Sequence, residues 1–405
     1  MTKKIPQIRF KGFKEDWEEK KLGDIASSFD YGMNKAGSQY DGTNRYIRIT
    51  DIDDESRRFK KDDLKSPSEL KKEDSKYLLK DGDILFARTG ASVGKTYIYN
   101  KKDGKVFFAG FLIRASVNLD QNPYFVFTQT LRKNYINFVK IMSQRSGQPG
   151  INANEYKLFK LFLPNLEEQE KIGALFEKVD SLIEGQERAV DSYKGLKKSL
   201  LQKMFPKEGE KIPQLRFPGF DGEWEENKIN KFSKKNKLKN KDNLIDNVES
   251  VSNKYGFIRQ EDQFDNRVAS DDLSNYYIIE KGMFAYNPSR INVGSIAYKD
   301  NNIVSVVSPL YVSFLLNKNL SDYFFYYWLE TSNFIKFRDN YSEGSVRTTL
   351  SYESFSNIPI ILPSLPEQKK IGDFFKKLDN LIEDEEKYLE DLKVFKKALL
   401  QKMFV

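Results

Sequence analysis

An internal repeat of about 200 residues constrains this chain more than any other feature of its sequence. Residues 5–10 read IPQIRF and residues 212–217 read IPQLRF. Residues 163–173 read LPNLEEQEKIG, residues 362–372 read LPSLPEQKKIG, and both copies end in LLQKMF. Solenoid repeats are much shorter, so this period indicates a duplicated domain. The ends of the two copies match closely and the middles do not, which indicates that the ends perform one task twice and the middles perform different tasks.

Each copy ends in a helical pattern of apolar residues spaced three and four apart. The helices begin after Asn165 and Ser364, which are residue types that cap helix N-termini. A repeat of seven over four to five heptads is typical of a coiled coil. The expected seam positions are Ile172, Leu175, Val179, Leu182, Gln186, Ala189, Tyr193, Leu196 and Leu200 in one helix, and Ile371, Phe374, Leu378, Leu381, Glu385, Tyr388, Leu392, Phe395 and Leu399 in the other. The matching polar residues Gln186 and Glu385 form either a solvated gap in the seam or a polar layer that sets its register.

The order of the segments predicts that the two helices pair antiparallel. The second globule begins where the first helix ends, and it ends where the second helix begins. A helix of about 40 residues is roughly 60 Å long, so parallel helices would force that globule to reach back along the whole rod. Antiparallel pairing removes this requirement and brings Met1 near Val405. We therefore expect a pseudo-twofold, circular organisation in which two long helices form an antiparallel coiled coil.

The middles of the two copies mix short β-branched and aromatic runs with Gly, Asn and Asp turns. Runs such as DILFAR at 83–88 and IPIIL at 358–362 indicate strands, and at least one helix is expected in each copy. The expected fold class is therefore α/β (α+β), with two globular domains in tandem. The expected boundaries are 1–163 for the first globular domain, 164–205 for the central helix, 206–362 for the second globular domain and 363–405 for the C-terminal helix.

The composition excludes several kinds of active site. The 405 residues include no Cys and no His, which removes disulfides, thiolate metal sites and the commonest general base. A formal net charge of +8 favours a polyanionic partner, with nucleic acid the first choice. No apolar run reaches the length of a membrane span, so no membrane association is expected and the cytoplasm is the default location.

Three short motifs suggest chemistry but fit it poorly. Residues 90–96 (GASVGKT) are one residue short of a phosphate-binding loop, and a strand pattern follows where that loop needs a helix. A tight β-turn that approaches DNA is the favoured interpretation. Residues 287–290 (NPSR) share only Asn-Pro with the catalytic loop of amino-methyltransferases. The acidic run 51–55 could hold Mg²⁺, but it lacks the Asp plus Glu-x-Lys arrangement of nucleases, so a solvated loop is favoured.

The repeated motifs are specific when taken together with the GDILFARTGASVGK segment at 82–95. Over essentially its whole length the chain resembles the specificity subunit of type I restriction–modification systems. The resemblance implies two target recognition domains, each reading one half of a bipartite double-stranded DNA site, with the coiled coil fixing the gap. It also implies a chain without its own catalytic site or cofactor. Two modification subunits with S-adenosylmethionine chemistry would dock on the conserved helices, and restriction (motor) subunits would bring ATP and Mg²⁺.

Candidate DNA-reading residues follow from the chemistry of recognition. Base edges are read by Arg, Lys, Asn and Gln side chains presented from turns or helices, and phosphates are bound by Lys, Arg, Ser and Thr. An ordinary surface or turn role is the alternative for each candidate. In the first domain the candidates are Arg88, Thr89, Lys95, Gln144, Arg145, Gln148 and Asn152. In the second they are Asn287, Ser289, Arg290, Asn292, Arg347, Thr348 and Thr349.

Two other functions stay open on the sequence alone. A self-sufficient enzyme would hydrolyse nucleotides at residues 90–96 or cut DNA, and turnover that is lost in Lys95→Ala would favour it. A structural rod protein with globules at its ends would show no salt-sensitive binding to duplex DNA.

Overall fold

The computed structural model of the chain describes residues 4–145, 147–253, 256–263, 272–343 and 348–405. It forms two compact units: the first unit is Met1–Glu187 with Lys387–Val405, and the second unit is Arg188–Glu386. Each unit holds one α/β globule and part of both long helices, which confirms the predicted fold class. Both ends of the sequence fall in the first unit, where the Ile8 N–H donates to the Lys402 carbonyl at 2.9 Å. None of the described helices is both long and apolar enough to cross a membrane.

The globule of the first unit is built on an antiparallel sheet of four strands. The strands of this unit are β1 (Glu18–Lys21), β2 (Ala26–Tyr31), β3 (Gly37–Gln39), β4 (Asn44–Ile47), β5 (Lys65–Pro67), β6 (Ile84–Ala87), β7 (Thr96–Ile98), β8 (Lys105–Phe108), β9 (Leu112–Val117) and β10 (Lys160–Leu163). The helices are α1 (Pro123–Gln129), α2 (Lys133–Met142), α3 (Ala153–Tyr156) and the long α4 (Leu166–Met204). The central sheet has the order β2–β9–β6–β7, and β1 pairs with β10.

The second unit repeats this plan. Its strands are β11 (Glu225–Lys228), β12 (Ser233–Lys235), β13 (Glu249–Ser252), β14 (Gly256–Arg259), β15 (Tyr277–Ile279), β16 (Met283–Tyr286), β17 (Ile296–Tyr298), β18 (Ser305–Val307), β19 (Val312–Leu316) and β20 (Pro359–Leu362). Its helices are α5 (Gln260–Gln263), α6 (Asp322–Trp328), α7 (Ser332–Tyr341), α8 (Tyr352–Ser356) and the long α9 (Leu365–Lys402). The central sheet has the order β12–β19–β16–β17, and β11 pairs with β20.

The two central sheets also share their register. Ile84 of β6 lies between Ile98 and Ala115, and Phe284 of β16 lies between Tyr298 and Phe314. Both strands are buried on both faces, and because side chains alternate along a strand, each strand contributes to two separate cores. The duplication seen in the ends of the sequence therefore extends through the middles as a shared backbone.

The long helices pair antiparallel within each unit, as predicted. Contacts between α4 and α9 run in opposite numerical directions, and each is an ion pair between a lysine and a carboxylate. They are Asp180 with Lys396 at 2.6 Å and Glu187 with Lys393 at 3.2 Å in the first unit, and Lys197 with Asp379 at 2.8 Å and Lys194 with Glu386 at 2.6 Å in the second. The two sets of pairs are duplicates of one another.

The burial of the long helices corrects the expected seam. Leu182, Leu196, Leu381, Tyr388 and Phe395 were expected inside, but 39–51% of each residue is exposed. The residues directly after the second seam position of each heptad are buried, among them Phe176, Ile183, Phe375 and Ile382. Each helix packs against the core of its globule as well as against the other helix, which rotates the buried face away from a two-helix seam. The five exposed residues are called the apolar stripe below.

A buried ion pair fastens the N-terminal motif of each copy to the start of its long helix. The Arg9 guanidinium binds the Glu168 carboxylate with two bonds of 2.7 and 2.8 Å, and Arg216 binds Glu367 with the same two distances. Both carboxylates are fully buried. The Arg of IPQ(I/L)RF and the Glu of the Glu-Gln pair therefore form one structural contact that occurs twice.

The Gln of each Glu-Gln pair holds the globule. The Gln169 side-chain oxygen Oε1 accepts the Asn122 backbone N–H at 3.1 Å, and Gln368 Oε1 accepts the Ser321 backbone N–H at 3.0 Å. Each amide also donates to the carbonyl of the proline that precedes its helix. Asn165 caps α4 as predicted, since its side chain accepts the Glu168 N–H at 3.0 Å.

Candidate nucleic-acid interface

In the first unit, backbone hydrogen bonds bring the two predicted segments of the site together. The turn that follows β6 pairs with the loop between α2 and α3. The Arg88 carbonyl accepts the Ile151 N–H at 2.9 Å, and the Gly90 N–H donates to the Pro149 carbonyl at 3.0 Å. Residues that lie about 60 positions apart in the sequence therefore form one continuous surface at this end of the sheet.

The second unit shares two backbone bonds of this frame, but the bond from Gly90 to Pro149 has no counterpart there, since the Arg290 N–H donates to the Asn287 carbonyl. The Pro288 carbonyl accepts the Leu350 N–H at 3.1 Å, which matches the bond between Arg88 and Ile151. Glu343 and Thr349 form two backbone hydrogen bonds with each other, of 2.8 and 2.9 Å. At the equivalent position of the first unit, the Gly150 N–H donates to the Ser143 carbonyl at 3.2 Å. Both units therefore present a turn after the central strand and a polar loop beside it.

Four first-unit candidates present their side chains at this surface. The Arg88 guanidinium lies over the Tyr31 ring at 5.0 Å, and Thr89 beside it is partly exposed. Gln144 and Gln148 are exposed. Gly90 has φ +69°, and a methyl group there would lie 3.0 Å from the Gln148 amide nitrogen, so the glycine allows Gln148 to lie against the turn. Exposed amides beside an arginine can donate to and accept from base edges.

The other first-unit candidates have structural partners. Lys95 forms an ion pair with Asp54 at 2.6 Å, and this contact lowers the pKa of Asp54. Arg145 binds both oxygens of the Glu155 carboxylate at 2.5 and 2.7 Å. Asn152 caps α3, since its side chain accepts the Glu155 N–H at 3.0 Å. These contacts match the alternative of ordinary turn and surface roles for the three residues.

The turn at residues 90–96 has the geometry of a closed β-turn. A phosphate-binding loop needs free backbone N–H groups and a following helix. Here β7 follows, as the strand pattern predicts, and four backbone N–H groups already donate to protein carbonyls. The donors and acceptors are Gly90 to Pro149, Val93 to Gly90, Gly94 to Ala87 and Lys95 to Ser92, at 2.9–3.1 Å.

Second-unit candidates are mostly exposed. Ser289, Arg290 and Asn292 point to solvent in the turn after β16, while the Asn287 side chain accepts the Ser289 N–H at 3.0 Å and shapes the turn. Thr348 is exposed and Thr349 is held by its two backbone bonds to Glu343. The candidate Arg347 lies outside the described residues.

The acidic run 51–55 is engaged in local contacts. Asp51 forms an ion pair with Arg48 at 2.7 Å. Burial raises the pKa of Asp53, but hydrogen bonds from Ser56 and Glu55 outweigh this and hold the pKa below its ordinary value. Across the described parts of the chain, no group of three or more acidic side chains is arranged to hold a metal ion.

A lysine-rich segment adjoins the site of the second unit and was missed by the sequence reasoning. Residues 231–241 (KFSKKNKLKNK), called the lysine segment below, contain six lysines and include β12 at the edge of the central sheet. The signal was the local density of lysine, which the modest net charge of the whole chain conceals.

The comparisons with known proteins agree with the duplicated architecture. A family model described as the type I restriction modification DNA specificity domain matches residues 14–190 and again residues 221–394. Two specificity subunits of Methanocaldococcus jannaschii align with 95% of this chain. The putative type I restriction enzyme MjaX subunit is 25% identical with 92% of its length covered, and the type I restriction enzyme MjaVIII subunit is 23% identical with 91% covered.

A solved structure shares the fold. The crystal structure of the type I restriction-modification system S subunit from M. genitalium superposes with a TM-score of 0.65 over 99% of both chains, at 14% identity. The family model accounts for most of the chain in two consecutive copies. This chain therefore belongs to the type I restriction modification DNA specificity domain family.

Proposed function

We propose that this chain is the DNA-sequence-reading subunit of a type I restriction–modification complex. Each unit reads one half of a bipartite duplex site, and the chain itself catalyses nothing. The observation that carries the proposal is the pair of matching backbone frames with different exposed side chains. A duplicated frame positions two readers in the same way, and different side chains let the two readers select different bases.

The residues that read bases are those at the two frames that are exposed and whose side chains have no hydrogen-bond or ion-pair partner among the described residues. In the first unit we assign this role to Gln144 and Gln148, with Arg88 beside them, and in the second to Arg290 and Asn292. Gln and Asn suit adenine, and Arg suits guanine, because each forms two hydrogen bonds to the respective base edge. Ser289, Thr89 and Thr348 are hydroxyl donors suited to phosphate oxygens.

The apolar stripe is the proposed docking surface for the modification subunits. Its members recur in both helices, since Leu182 corresponds to Leu381 and Leu196 to Phe395 at an offset of 199 residues. Exposed apolar side chains in a row along a helix are typical of a face covered by a partner helix. Two equivalent rows favour two copies of the same modification subunit, which would bring S-adenosylmethionine. Restriction subunits would bring ATP and Mg²⁺.

A matched pair of variants tests this docking surface. Leu182→Arg with Leu381→Arg should lower the number of modification subunits bound per chain, measured by light scattering of the purified complex. The control, Leu119→Arg with Leu310→Arg, alters two leucines that are highly exposed on the globules and should leave the stoichiometry at two. Equal stoichiometry for both variants would contradict the assignment.

The function itself is tested by mapping methylated adenines across a genome in which the chain is expressed with its modification subunit. A single bipartite motif with a fixed gap is the expected result. An intact complex that binds the methyl donor and yet modifies no such motif would contradict the proposal.

A further inference from the structure

The lysine segment has an unusual arrangement of charge. Lys234, Lys235, Lys237 and Lys241 are exposed, and among the described residues no carboxylate lies within 4.0 Å of any of the six lysines. Several lysines elsewhere on the globules, such as Lys95 and Lys299, are paired with acids. Unpaired lysines in one short run repel each other, and this cost is relieved when a polyanion binds.

Buried amides hold the lysine segment in place. Asn236 donates to the Ile278 carbonyl at 2.8 Å, and Asn240 donates to the Ile245 carbonyl at 2.8 Å. Both amides are at most 5% exposed. Lysines alternate with these anchors along the chain, so the backbone is fixed while the charged side chains remain in solvent.

The lysine segment runs to the end of the sheet that carries the candidate turn of the second unit. Lys235 pairs with Phe314, which pairs with Phe284 of β16 in the same row. The Lys235 ammonium also lies 5.9 Å from the ring of Tyr352, the first residue of α8, four positions after Thr348. β12 runs in the same direction as β16, so the chain beyond Lys235 continues toward the end of the sheet at which the turn after β16 lies.

The same edge of the first unit carries different chemistry. Lys235 of β12 and Phe29 of β2 occupy equivalent positions, because each lies in the same row of paired residues across its central sheet. Two residues further along the chain, Lys237 therefore corresponds to Tyr31. Tyr31 supports Arg88, and the nearby Lys35 is neutralised by Asp74 at 2.6 Å. The first unit therefore has an aromatic support for one arginine where the second has a row of lysines with no carboxylate partner among the described residues.

We propose that the lysine segment binds the phosphodiester backbone of duplex DNA beside the half-site read by the second unit, an inference that rests on the proposed function. It positions the DNA and does not select bases, because an ammonium on a long stem contacts phosphates as a point charge. Binding by the second unit therefore depends more steeply on salt than binding by the first. Each phosphate contact contributes about 0.9 to the slope of log affinity against log salt concentration.

The test measures how the full chain, in complex with its modification subunit, binds a DNA duplex of random sequence. The duplex has about 30 base pairs, which is about three helical turns. The variant Lys235→Gln/Lys237→Gln/Lys241→Gln removes three charges from the lysine segment. The control variant Lys228→Gln/Lys281→Gln/Lys318→Gln removes three exposed lysines outside the lysine segment. Lys281 precedes β16 and Lys318 follows β19 at the opposite end of the central sheet, and Lys228 ends β11. Fluorescence anisotropy gives Kd as a function of salt concentration.

The lysine-segment variant should show a slope shallower by about 2–3 and a Kd raised roughly 10–100-fold at 0.1 M salt, with the control near wild type. In the genome-wide assay it should methylate the wild-type motif at lower occupancy, with both half-sites unchanged. An unchanged slope in a complex whose wild type binds DNA in a salt-dependent way would overturn this inference alone. Salt-independent or absent binding by the wild type would instead overturn the proposed function. A changed half-site would show that the lysines read bases, which contradicts a positioning role.

Discussion

After the central strand, the first unit continues with Arg88, Thr89 and Gly90, whereas the second continues with Pro288, Ser289 and Arg290. Two backbone bonds of this frame recur in both units, but the bond from the Gly90 N–H to the Pro149 carbonyl does not, since the Arg290 N–H donates to the Asn287 carbonyl instead. The larger difference is in the side chains that these frames expose. It teaches that the site in this fold is a geometry fixed by buried residues, and that the exposed positions on it can vary without altering the frame.

The matched ends of the two units show the opposite behaviour. The Arg–Glu pair and the Gln contact recur with distances that agree within 0.1 Å, and the groups involved are largely buried. Their repetition in the sequence is therefore explained by packing within each unit. The proposed docking of partners falls instead on the exposed apolar stripe, whose residues are apolar but not identical in the two helices.

The largest difference between the units should come from removing the buried carboxylates. Glu168→Ala leaves Arg9 without its partner, and Arg9 Nη1 has no other acceptor among the described residues. Arg216 keeps a bond of 2.6 Å from Nη1 to the Gly222 carbonyl. We expect Glu168→Ala to lower the free energy of unfolding by about 3 kcal/mol and Glu367→Ala by less, because an unpaired buried charge is the costlier.

Urea unfolding of both variants measures this comparison. Glu168→Gln serves as the control, since it keeps the size of the side chain and one hydrogen-bond acceptor. Equal losses in the two alanine variants would show that the two pairs contribute the same stability despite their different surroundings.

A smaller difference is expected for the lysines that join the helices. Lys197 binds both Asp379 and Glu330, at 2.8 and 2.9 Å, while Lys396 binds Asp180. Replacing Lys197 by Met should lower the free energy of unfolding by about 1–2 kcal/mol, because it leaves two carboxylates without their lysine. Replacing Lys396 by Met should lower it by less, because only one carboxylate loses its lysine.

The pH dependence separates these two lysine variants. Burial raises the pKa of Glu330, and Lys197 opposes that effect. Without Lys197 the pKa of Glu330 in the folded state rises further above its value in the unfolded chain. The variant therefore loses its full amount of unfolding free energy at a pH above the folded-state pKa of Glu330, and the loss shrinks as the pH falls toward the unfolded-state pKa. Thermal unfolding at pH 7.5 and 5 should show this narrowing for Lys197→Met. A loss independent of pH would exclude Glu330 as its origin.

The smallest effect concerns a loop of the first unit. Hydrogen bonds from the Asn44 side chain and from the backbone of Asn44 and Thr43 lower the pKa of Asp41 to about 2. Because this pKa is below the unfolded value, the stabilisation is present above the unfolded pKa and is lost as the pH falls through about 2. Asp41→Asn should lower the Tm slightly at pH 7, and its difference from wild type should shrink at pH 3. A constant difference would contradict the assigned cause.

Much of the fold followed from the sequence because it rests on repeated local patterns. The two helices, their antiparallel pairing and the Asn165 cap were predicted correctly. The exposed positions Leu182 and Tyr388 were not, because a heptad pattern does not tell which apolar positions face a globule and which face a second helix. That choice depends on tertiary packing, here against the cores around Phe176 and Phe375.

The role of the candidate site in reading DNA stays a prediction. The sequence located both turns and both loops, and the structure joins them in each unit. The sequence did not distinguish Gln148, which is exposed, from Asn152 and Arg145, whose side chains bind Glu155. These contacts with Glu155 form only when the loop folds, so the sequence alone does not reveal them. The lysine segment was visible as composition, but its place beside the turn depends on strand register.

The measurement that tests the account most directly is the modification motif of two variants, each altered in one frame. Gln144→Ala/Gln148→Ala changes the first unit, and Arg290→Ala/Asn292→Ala changes the second. We predict that each variant relaxes or loses one half of the bipartite motif, a different half in each case, while the other half and the gap remain as in wild type. If either variant altered both halves, or if neither altered any base, the claim of two independent readers on matching frames would be contradicted.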